Sequence, residues 1–594
     1  MTKNNSFDAL IDEGLALQGR GDLSAAIDLF IQAEKLRPGD AEALCILGMA
    51  EFTSGNRDAG IEKVRRSVAL EPSEPRFLMQ LAIALGQIGH HQESFSHLKT
   101  VSPHFQSDTY FGKLYTQTAL NAGAISEALN VSRMLIQVMP QDNESWQLHS
   151  KAFFEANDIT AAKNAYAQAI KLKHAASAED MVTMARYDMR LNDPESALAW
   201  VQKCIDSNPD FIPAMETQAR LFLYTGRADE ARRLAQEIIE TAPDNIAAIC
   251  ILLELETPPD DELMSVALSV SEDSRRALLE RKAVLYELAR SYDRAKNYKT
   301  AFKTAISANK LSAQYQNQHD AVFDPAMARA HSFLARTLFD PDFRAKAKSL
   351  LSTSSMNEPR PIFVVGPPRS GTSLTEKILS GTQHASGLGE RGATLQYFNQ
   401  ILVDAEKNGV QAVQEQLLKA LPSIAEAERK NWTALAPDSR VVIDKTPAHL
   451  EASGWLASLF PDAIFVNLQR DLRDVGLSCF FQDMPAEYGY CNDLEQIAEA
   501  LDLATETAEH WNNSELRWVN FNYDTFVANP EKQAKALVAA CELEWKDTIL
   551  DSNRPSGLKG FSALAASGSI HDKRSGRWRN YEKDLSPLTR KFGP

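Results

Sequence analysis

The sequence predicts an α-solenoid of helical repeats followed by a three-layer, P-loop-like α/β domain with a parallel sheet. In the first half, Pro38, Pro72 and Pro140 fit a 34-residue period, the last at twice the interval, and Pro209 and Pro243 are again 34 residues apart. In the second half, a short buried-strand pattern runs directly into a glycine-containing loop and then a helix. We therefore expect a repeat solenoid over residues 6–312, a helical connector and linker over 313–354, and the α/β domain over 355–594.

Composition and charge narrow the class of protein. Of the 594 residues, 44% are hydrophobic and 24% are charged, which is typical of globular chains. The net charge of −16 argues against nucleic-acid binding. The six cysteines lack metal-ligand spacing, and neither a membrane-spanning run nor a secretory leader is visible. We expect a cytoplasmic, bacterial protein without a metal site or a membrane span.

The helical repeats follow from small and aromatic residues placed in step with the prolines. The first repeat shows this best, with Gly14, Ala26, Phe30 and Ala33 before Pro38. Small residues let two helices approach closely, and a proline ends the second helix of each pair. The register breaks in 96–110 and 244–275. The pattern resembles tetratricopeptide repeats, which implies a groove that holds a protein partner.

The loop after the first strand is suited to an anion. Ile362–Val365 is apolar, and Gly366 and Gly371 have the spacing of the front of a Walker A loop. Residue 372 is Thr where a nucleotidase carries Lys, and the positive charge lies inside the loop, at Arg369. Backbone N–H groups at a helix start favour phosphate or sulfate.

Two further strands are followed by charged residues. Val441–Ile443 leads into Asp444 and Lys445, and Ala463–Leu468 leads into Arg470. Ligands of open α/β sheets bind beyond the carboxyl ends of the strands. We therefore expect these side chains near the loop, with Arg470 and Ser478, on the following helix, holding one phosphate between them.

These motifs resemble the sulfotransferases that use 3′-phosphoadenosine-5′-phosphosulfate (PAPS), and most closely their tyrosylprotein-type branch, over residues 358–588. PPRSGTS matches the family's 5′-phosphosulfate loop, and RDLRDVGLS matches its 3′-phosphate site. The resemblance implies donor contacts from Arg369, Ser370, Gly371, Thr372, Ser373, Arg470 and Ser478. It also implies transfer of a sulfuryl group from PAPS to a hydroxyl acceptor, without a metal.

The same resemblance implies catalytic roles. Glu390 would take the acceptor's proton, Lys445 would lie near the bridging oxygen, and Arg369 would share the developing charge. Ser575 matches a later family serine, and Tyr523 a residue that closes on the nucleotide. The cluster of Arg574, Arg577 and Arg579 around Trp578 would cover the nucleotide, with Arg577 as a contact.

Several points stay open at this stage. The family pattern often has two successive glutamates, whereas Arg391 follows Glu390 here, so His384 and His449 are rival bases. The acceptor, which the repeats would recruit or present, can be a peptide or protein, a glycan or a small molecule. Two alternatives remain: a scaffold whose sulfotransferase-like domain binds a nucleotide without activity, and a P-loop nucleotidase or kinase.

Overall fold

The structure is a computed structural model that describes residues 6–104, 108–156, 158–173, 175–191, 193–256, 259–318, 322–351, 359–551 and 575–593. The chain forms two compact units, with the boundary between Ala175 and Ala176. The second unit comprises Ala176–Asn317 and the described residues after 321. The sequence-based boundaries at residues 312 and 355 stay predictions.

The first unit consists, over its described residues, of ten helices that pack as consecutive pairs. They are α1 (Phe7–Gly19), α2 (Leu23–Leu36), α3 (Ala41–Thr53), α4 (Arg57–Leu70), α5 (Pro75–Gln87), α6 (His91–Val101), α7 (Thr109–Asn121), α8 (Ile125–Val138), α9 (Asn143–Glu155) and α10 (Ile159–Leu172). Several begin at an aspartate whose carboxylate accepts a backbone N–H of the first turn, as at Asp40 and Asp142. The predicted helical repeats are confirmed.

Small residues set the closest helix contacts in this unit, as the repeat pattern predicted. A Cβ on Gly60 would lie 2.5 Å from the carbonyl oxygen of Gly48, so α3 and α4 touch backbone to backbone. A Cβ on Gly14 would lie 2.3 Å from the ring of Phe30. The repeat prolines, Pro38 among them, each follow the second helix of a pair by two residues, where a helix cannot continue.

The second unit begins with further helices: α11 (Ala178–Arg190), α12 (Pro194–Ser207), α13 (Ile212–Tyr224), α14 (Ala228–Thr241), α15 (Ile246–Leu255), α16 (Asp261–Glu272), α17 (Leu278–Arg294), α18 (Tyr298–Gln318), α19 (Pro325–Leu338) and α20 (Pro341–Leu351). The segment 244–275, where the repeat register breaks, contains two helices, α15 and α16, which both pack on α17 and little on each other. No helix in the described ranges is long and apolar enough to cross a membrane.

A parallel sheet follows, with the strand order β2-β3-β1-β4-β5 within the described residues. The strands are β1 (Arg360–Val365), β2 (Ala385–Gly389), β3 (Val441–Asp444), β4 (Ile464–Gln469) and β5 (Trp518–Asn522). Ile362 of β1 pairs with Ile443 of β3 on one side and with Ile464 of β4 on the other. This confirms the predicted parallel sheet and places the β1 loop at its centre.

Helices cover both faces of the sheet, because the side chains of β1 alternate between two cores. Phe363 and Val365 pack with Trp455 on one face, and Ile362 and Val364 pack with Phe526 on the other. The helices of this half are α21 (Thr372–Leu379), α22 (Gly392–Asn408), α23 (Val410–Leu435), α24 (Ser453–Leu459), α25 (Leu472–Phe480), α26 (Leu494–Asn512), α27 (Tyr523–Ala528), α28 (Pro530–Ala540) and α29 (Ser586–Phe592), of which α25 and α29 pack in a separate core. The predicted three-layer α/β arrangement is confirmed.

Helices α17 and α18 belong to the same core as α25 and the C-terminal segment. Phe302 of α18 stacks on Phe480 with ring centroids 5.3 Å apart, and it also contacts Phe481. Lys282 of α17 pairs with Asp483 at 2.7 Å, although its side chain is only 7% exposed. Helices α17 and α18 are therefore built into the α/β half of this unit.

Candidate functional site

The loop 366–371 joins β1 to α21 and depends on two glycines with positive φ. Gly366 has φ 129° and Gly371 has φ 112°, in a region that disfavours other residues. A Cβ on Gly366 would lie 3.0 Å from the carbonyl oxygen of Leu468 in β4. A Cβ on Gly371 would lie 2.5 Å from the ring of Tyr523. Both glycines therefore allow a close approach that a side chain would block.

The remaining loop residues line the start of α21. Gly371 is the N-cap of that helix, and Thr372 is its first residue. The hydroxyl of Ser370, which is fully buried, donates to the carbonyl oxygen of Pro367 at 2.7 Å. Ser373 is half-buried in the first turn. The loop thus places the first amides of α21, which carry partial positive charge, beside the ends of the strands.

The structure brings Arg369, Ser478 and Arg470 together. Arg369 Nε donates to Ser478 Oγ at 3.2 Å, and Arg470 Nη1 donates to the carbonyl oxygen of Arg369 at 2.9 Å. The guanidinium of Arg470 lies 4.7 Å from the ring centre of Tyr523. Two arginines, one serine and an aromatic ring therefore meet at the carboxyl ends of β1 and β4.

Ser575 lies next to this group. Its hydroxyl donates to Asp524 Oδ1 at 2.6 Å, and Asp524 Oδ2 accepts the backbone N–H of Asp471 at 2.9 Å. Asp524 directly follows Tyr523. Ser575 is thus linked through Asp524 to the two segments that carry Tyr523 and Arg470.

Lys445 and Glu390 form an ion pair at the carboxyl ends of β3 and β2. Lys445 Nζ hydrogen-bonds Glu390 Oε1, and the lysine side chain is 2% exposed while that of Glu390 is 51% exposed. The backbone N–H of Lys445 also donates to the carbonyl oxygen of Gly389 at 2.9 Å. The carboxylate predicted as the base is thus open to solvent, and the buried ammonium lies beside it.

Glu376, in the middle of α21, was not singled out from the sequence. Its side chain is fully buried, and Oε1 accepts the backbone N–H of Gly389 at 2.8 Å. Burial raises the pKa of Glu376 to about 7, and the charge of Lys445 opposes that rise. A glutamate on an amphipathic helix usually faces solvent, so nothing in the sequence marked Glu376 beyond its place after the loop.

The two rival bases lie in less suitable places. His384 precedes β2 and is exposed, so it lies at the amino edge of the sheet, whereas the loop lies at the carboxyl edge. His449 is fully buried, and burial lowers its pKa to about 3. Its Nδ1 is 3.5 Å from Oδ1 of Asp444, whose pKa burial raises to about 7. Of the candidate bases, Glu390 alone is both exposed and beside Lys445.

The C-terminal segment is held by the acidic residues of the RDLRD motif. Asp474 accepts the backbone N–H groups of Gly576 at 2.5 Å and of Trp578 at 2.8 Å. The indole N–H of Trp578 donates to Asp471 Oδ2 at 3.0 Å, and Arg473 stacks on the same ring. This segment is therefore fixed to the start of α25.

Arg577 contacts helix α17 and the end of α25. Its Nη2 pairs with Asp293 Oδ2 of α17 at 3.0 Å, and its guanidinium lies over the ring of Phe481. Arg579 lies over Trp578 instead. Arg574 lies outside the described residues. In this structure the predicted basic cluster thus supports packing through Arg577 and Arg579, and a nucleotide contact from Arg577 stays a prediction.

The arrangement offers an anion site built from cationic side chains and backbone amides. No cluster of His, Cys, Asp and Glu suited to a metal occurs among the residues that the structure describes. Positive charge comes instead from Arg369, Lys445 and Arg470, together with the first amides of α21. Such a set can bind a charged group and stabilise negative charge that develops on it.

Two protein-family models match parts of the chain. Residues 361–547 match the model of the sulfotransferase family, and residues 11–75 match a tetratricopeptide-repeat model. The first match covers the loop, Glu390, Lys445, Arg470 and Ser478.

Individual relatives are more distant. An uncharacterized protein of Aquifex aeolicus is 26% identical over 397 residues, which are 64% of this chain and 50% of that protein. The human PEX5-related protein is 38% identical over 89 residues, 15% of this chain and 14% of that protein. The chain thus matches half or less of the length of either relative.

Solved structures that resemble the chain are repeat proteins. A tetratricopeptide repeat protein from Parabacteroides merdae is 11% identical and covers 39% of this chain and 91% of its own, with a TM-score of 0.33. The pilus biogenesis factor PilW is 12% identical and covers 36% and 98%, with a TM-score of 0.32. From the family matches we conclude that this chain carries a tetratricopeptide-repeat region and a domain of the sulfotransferase family.

Proposed function

We propose that this protein transfers a sulfuryl group from PAPS to a hydroxyl acceptor. One observation carries the proposal: Lys445, Arg369 and Arg470 follow the adjacent strands β3, β1 and β4 at the same edge of the sheet. In a chain with a net charge of −16, such a local cluster is what a donor with several negative charges requires. The sulfotransferase-family match over residues 361–547 supports the same reading.

The residues present fit a phosphosulfate donor. Gly366 and Gly371 let the loop backbone lie close to Leu468 and Tyr523, where a Cβ would collide. Arg369 and residues 370–373 would hold the 5′-phosphosulfate, and Arg470 with Ser478 would hold the 3′-phosphate. Tyr523, Ser575 and Arg577 are the further donor contacts that we propose. PAPS supplies the sulfuryl group, and no metal enters the scheme.

The side chains of the site suit an in-line displacement. Glu390, half-exposed and beside Lys445, would accept the proton of the acceptor hydroxyl as its oxygen bonds to sulfur. The bond from sulfur to the 5′-phosphate oxygen breaks in the same step, and the negative charge that develops there is stabilised by Lys445 and Arg369. Positioning and cationic stabilisation would supply most of the rate.

For the acceptor, we propose a polypeptide hydroxyl of the kind that the tyrosylprotein-type branch modifies. Tetratricopeptide repeats commonly bind peptides or proteins, so the repeat region would recruit or present the acceptor. The fold of the repeats specifies no particular ligand. Glycans and small metabolites should be tested as acceptors beside peptides. We also propose that the protein works in the cytoplasm.

Calorimetric titration with 3′,5′-adenosine bisphosphate, the product nucleotide, tests the proposal. We expect micromolar binding that is lost in Arg470→Ala and kept in Arg590→Ala, which removes an exposed arginine from an ion pair with Glu495. Tight magnesium-dependent binding of ATP, with no response to the bisphosphate, would instead identify a nucleotidase. If neither nucleotide binds, the transferase proposal fails and a scaffold role replaces it.

A further inference from the structure

Glu376 connects the loop helix to the strand that ends at the proposed base. It lies on α21, in the turn after Thr372, and its Oε1 accepts the backbone N–H of Gly389 at 2.8 Å. Gly389 is the last residue of β2 and directly precedes Glu390. One side chain thus joins the two elements that carry the anion loop and the carboxylate.

The surroundings of Glu376 are built around its carboxyl group. A Cβ on Gly387 would lie 2.8 Å from Glu376 Oε1, so the strand leaves room for this oxygen. The other oxygen, Oε2, is buried and has no hydrogen-bond partner among the residues that the structure describes. A buried carboxyl with only one of its oxygens hydrogen-bonded is costly, so a purely structural role would favour an amide or an apolar residue.

Charge gives the carboxyl group a second link to the same pair. Lys445 is the largest favourable charge acting on Glu376, while Asp444 and Glu390 act against its ionised form. Lys445 in turn hydrogen-bonds Glu390. The carboxyl groups of Glu376 and Glu390 thus interact with the same buried ammonium. A change in the charge or position of the Glu376 carboxyl group should therefore alter the Glu390–Lys445 pair.

We propose that Glu376 is a positioning residue: through the N–H of Gly389 and the charge of Lys445, it fixes Glu390 relative to the loop that starts α21. The inference rests on the proposed function for the role of Glu390. It does not require that Glu376 touch either substrate. Its effect is on how Glu390 and Lys445 are held, and therefore on the chemical step more than on binding of the donor.

Amide hydrogen exchange in the full-length protein tests the contact directly. In Glu376→Ala we expect the peptide that contains Gly389 to exchange about tenfold faster, the factor for losing one net hydrogen bond. Glu376→Gln keeps an acceptor oxygen and should stay near the wild type. Glu415→Ala, which removes an exposed glutamate on α23, is the control and should change nothing.

Gly387→Ala provides a second route if Glu376→Ala fails to fold. The new methyl group would push against Glu376 Oε1, so it should speed exchange at Gly389 in the wild-type background. In the Glu376→Ala background, where the oxygen is gone, the same substitution should add little. Unchanged exchange at Gly389 in both Glu376→Ala and Gly387→Ala would overturn the inference.

Turnover separates positioning from a merely structural role. With PAPS as donor and a tyrosine-containing peptide as acceptor, Glu376→Ala should lower kcat about tenfold, with KM for PAPS within about twofold, and Glu376→Gln, which keeps the acceptor oxygen but not the charge, should recover part of kcat. Equal kcat in wild type and Glu376→Ala would contradict the inference. If the wild type itself shows no turnover and no bisphosphate binding, the proposed function fails instead, and the exchange data still decide whether Glu376 holds Gly389.

Discussion

Tyr581 donates its phenolic hydrogen to Asp293 Oδ1 across 2.5 Å, which joins the C-terminal segment to helix α17. Arg577 pairs with the other oxygen of the same aspartate. Burial and the neighbouring Asp293 raise the pKa of Tyr581 above its ordinary value, so the phenol stays a hydrogen donor across the physiological range. The second unit therefore depends on contacts between its helix pair and the end of the chain.

Removing that hydroxyl should destabilise the second unit. Tyr581→Phe removes the hydrogen bond donated to the half-buried carboxylate of Asp293, which keeps its ion pair with Arg577, and the cost of such a loss is about 1–3 kcal/mol. The unfolding transition of the second unit in urea should move to lower denaturant. Tyr397→Phe, on a ring that is 42% exposed, is the matched control, and an equal shift in both variants would contradict the role of Asp293.

The loop should not tolerate a side chain at residue 371. Gly371→Ala meets both a φ of 112° and a ring carbon of Tyr523 at 2.5 Å, so the start of α21 must shift. We expect binding of 3′,5′-adenosine bisphosphate to weaken by at least about tenfold, a loss of roughly 1.4 kcal/mol.

The control for that variant separates the two causes. Gly409→Ala also has a positive φ, 84°, but its Cβ would meet nothing within 4 Å. It should lower stability slightly and leave nucleotide binding unchanged. Binding that is equally weak in both variants would mean that general strain, and not the Tyr523 contact, is responsible.

Asp444 should make stability depend on pH. Burial raises its pKa from 3.8 to about 7, while Thr446, Arg391 and Lys445 oppose the rise and Glu390 adds to it. The folded state therefore binds more protons than the unfolded state between these two values, and this contribution to stability falls as pH rises through that window.

Asp444→Asn removes this titration and keeps an oxygen for the hydroxyl of Thr446, which lies at 2.7 Å. The variant should gain stability relative to the wild type from about pH 4 to pH 7, with no further change above. Urea unfolding at several pH values checks the trend. A difference between the two proteins that is constant with pH would refute the assignment.

Asp474 should keep the C-terminal segment bound to the start of α25. In Asp474→Ala the backbone N–H groups of Gly576 and Trp578 lose their acceptor. Hydrogen bonds to a charged group contribute about 1.5–3 kcal/mol each, so local opening should become at least about tenfold more frequent. Trypsin should then cut faster after Arg577. Asp342→Ala, at an exposed position of α20, should leave the cutting rate unchanged.

The sequence predicted best what local spacing controls. The repeat prolines mark helix ends because the backbone alone forbids a helix there. Lys445 and Arg470 could be assigned to one edge of the sheet because each follows a β-branched run, and parallel strands end at the same edge. Pairs that are distant in the chain gave no such signal.

Two contacts between residues that are distant in the chain could not be predicted from the sequence. Asp293 and Arg577 are separated by 284 residues, and a basic residue near Trp578 fits a ligand contact as well as it fits an ion pair. Glu376 was missed because the periodicity of its helix does not reveal that its side chain lies against β2 and near Lys445. Its burial comes from tertiary packing, which a single sequence does not encode locally.

The central claim is that PAPS is the donor, and conversion of PAPS to 3′,5′-adenosine bisphosphate tests it most directly. The full-length protein would be incubated with PAPS and a tyrosine-containing peptide, with chromatography of both the nucleotide and the peptide. We predict equal amounts of bisphosphate and sulfated peptide, lost in Lys445→Ala and kept in Lys407→Ala, an exposed lysine on α22. Unchanged PAPS after incubation with peptide, glycan and phenol acceptors alike would contradict the account.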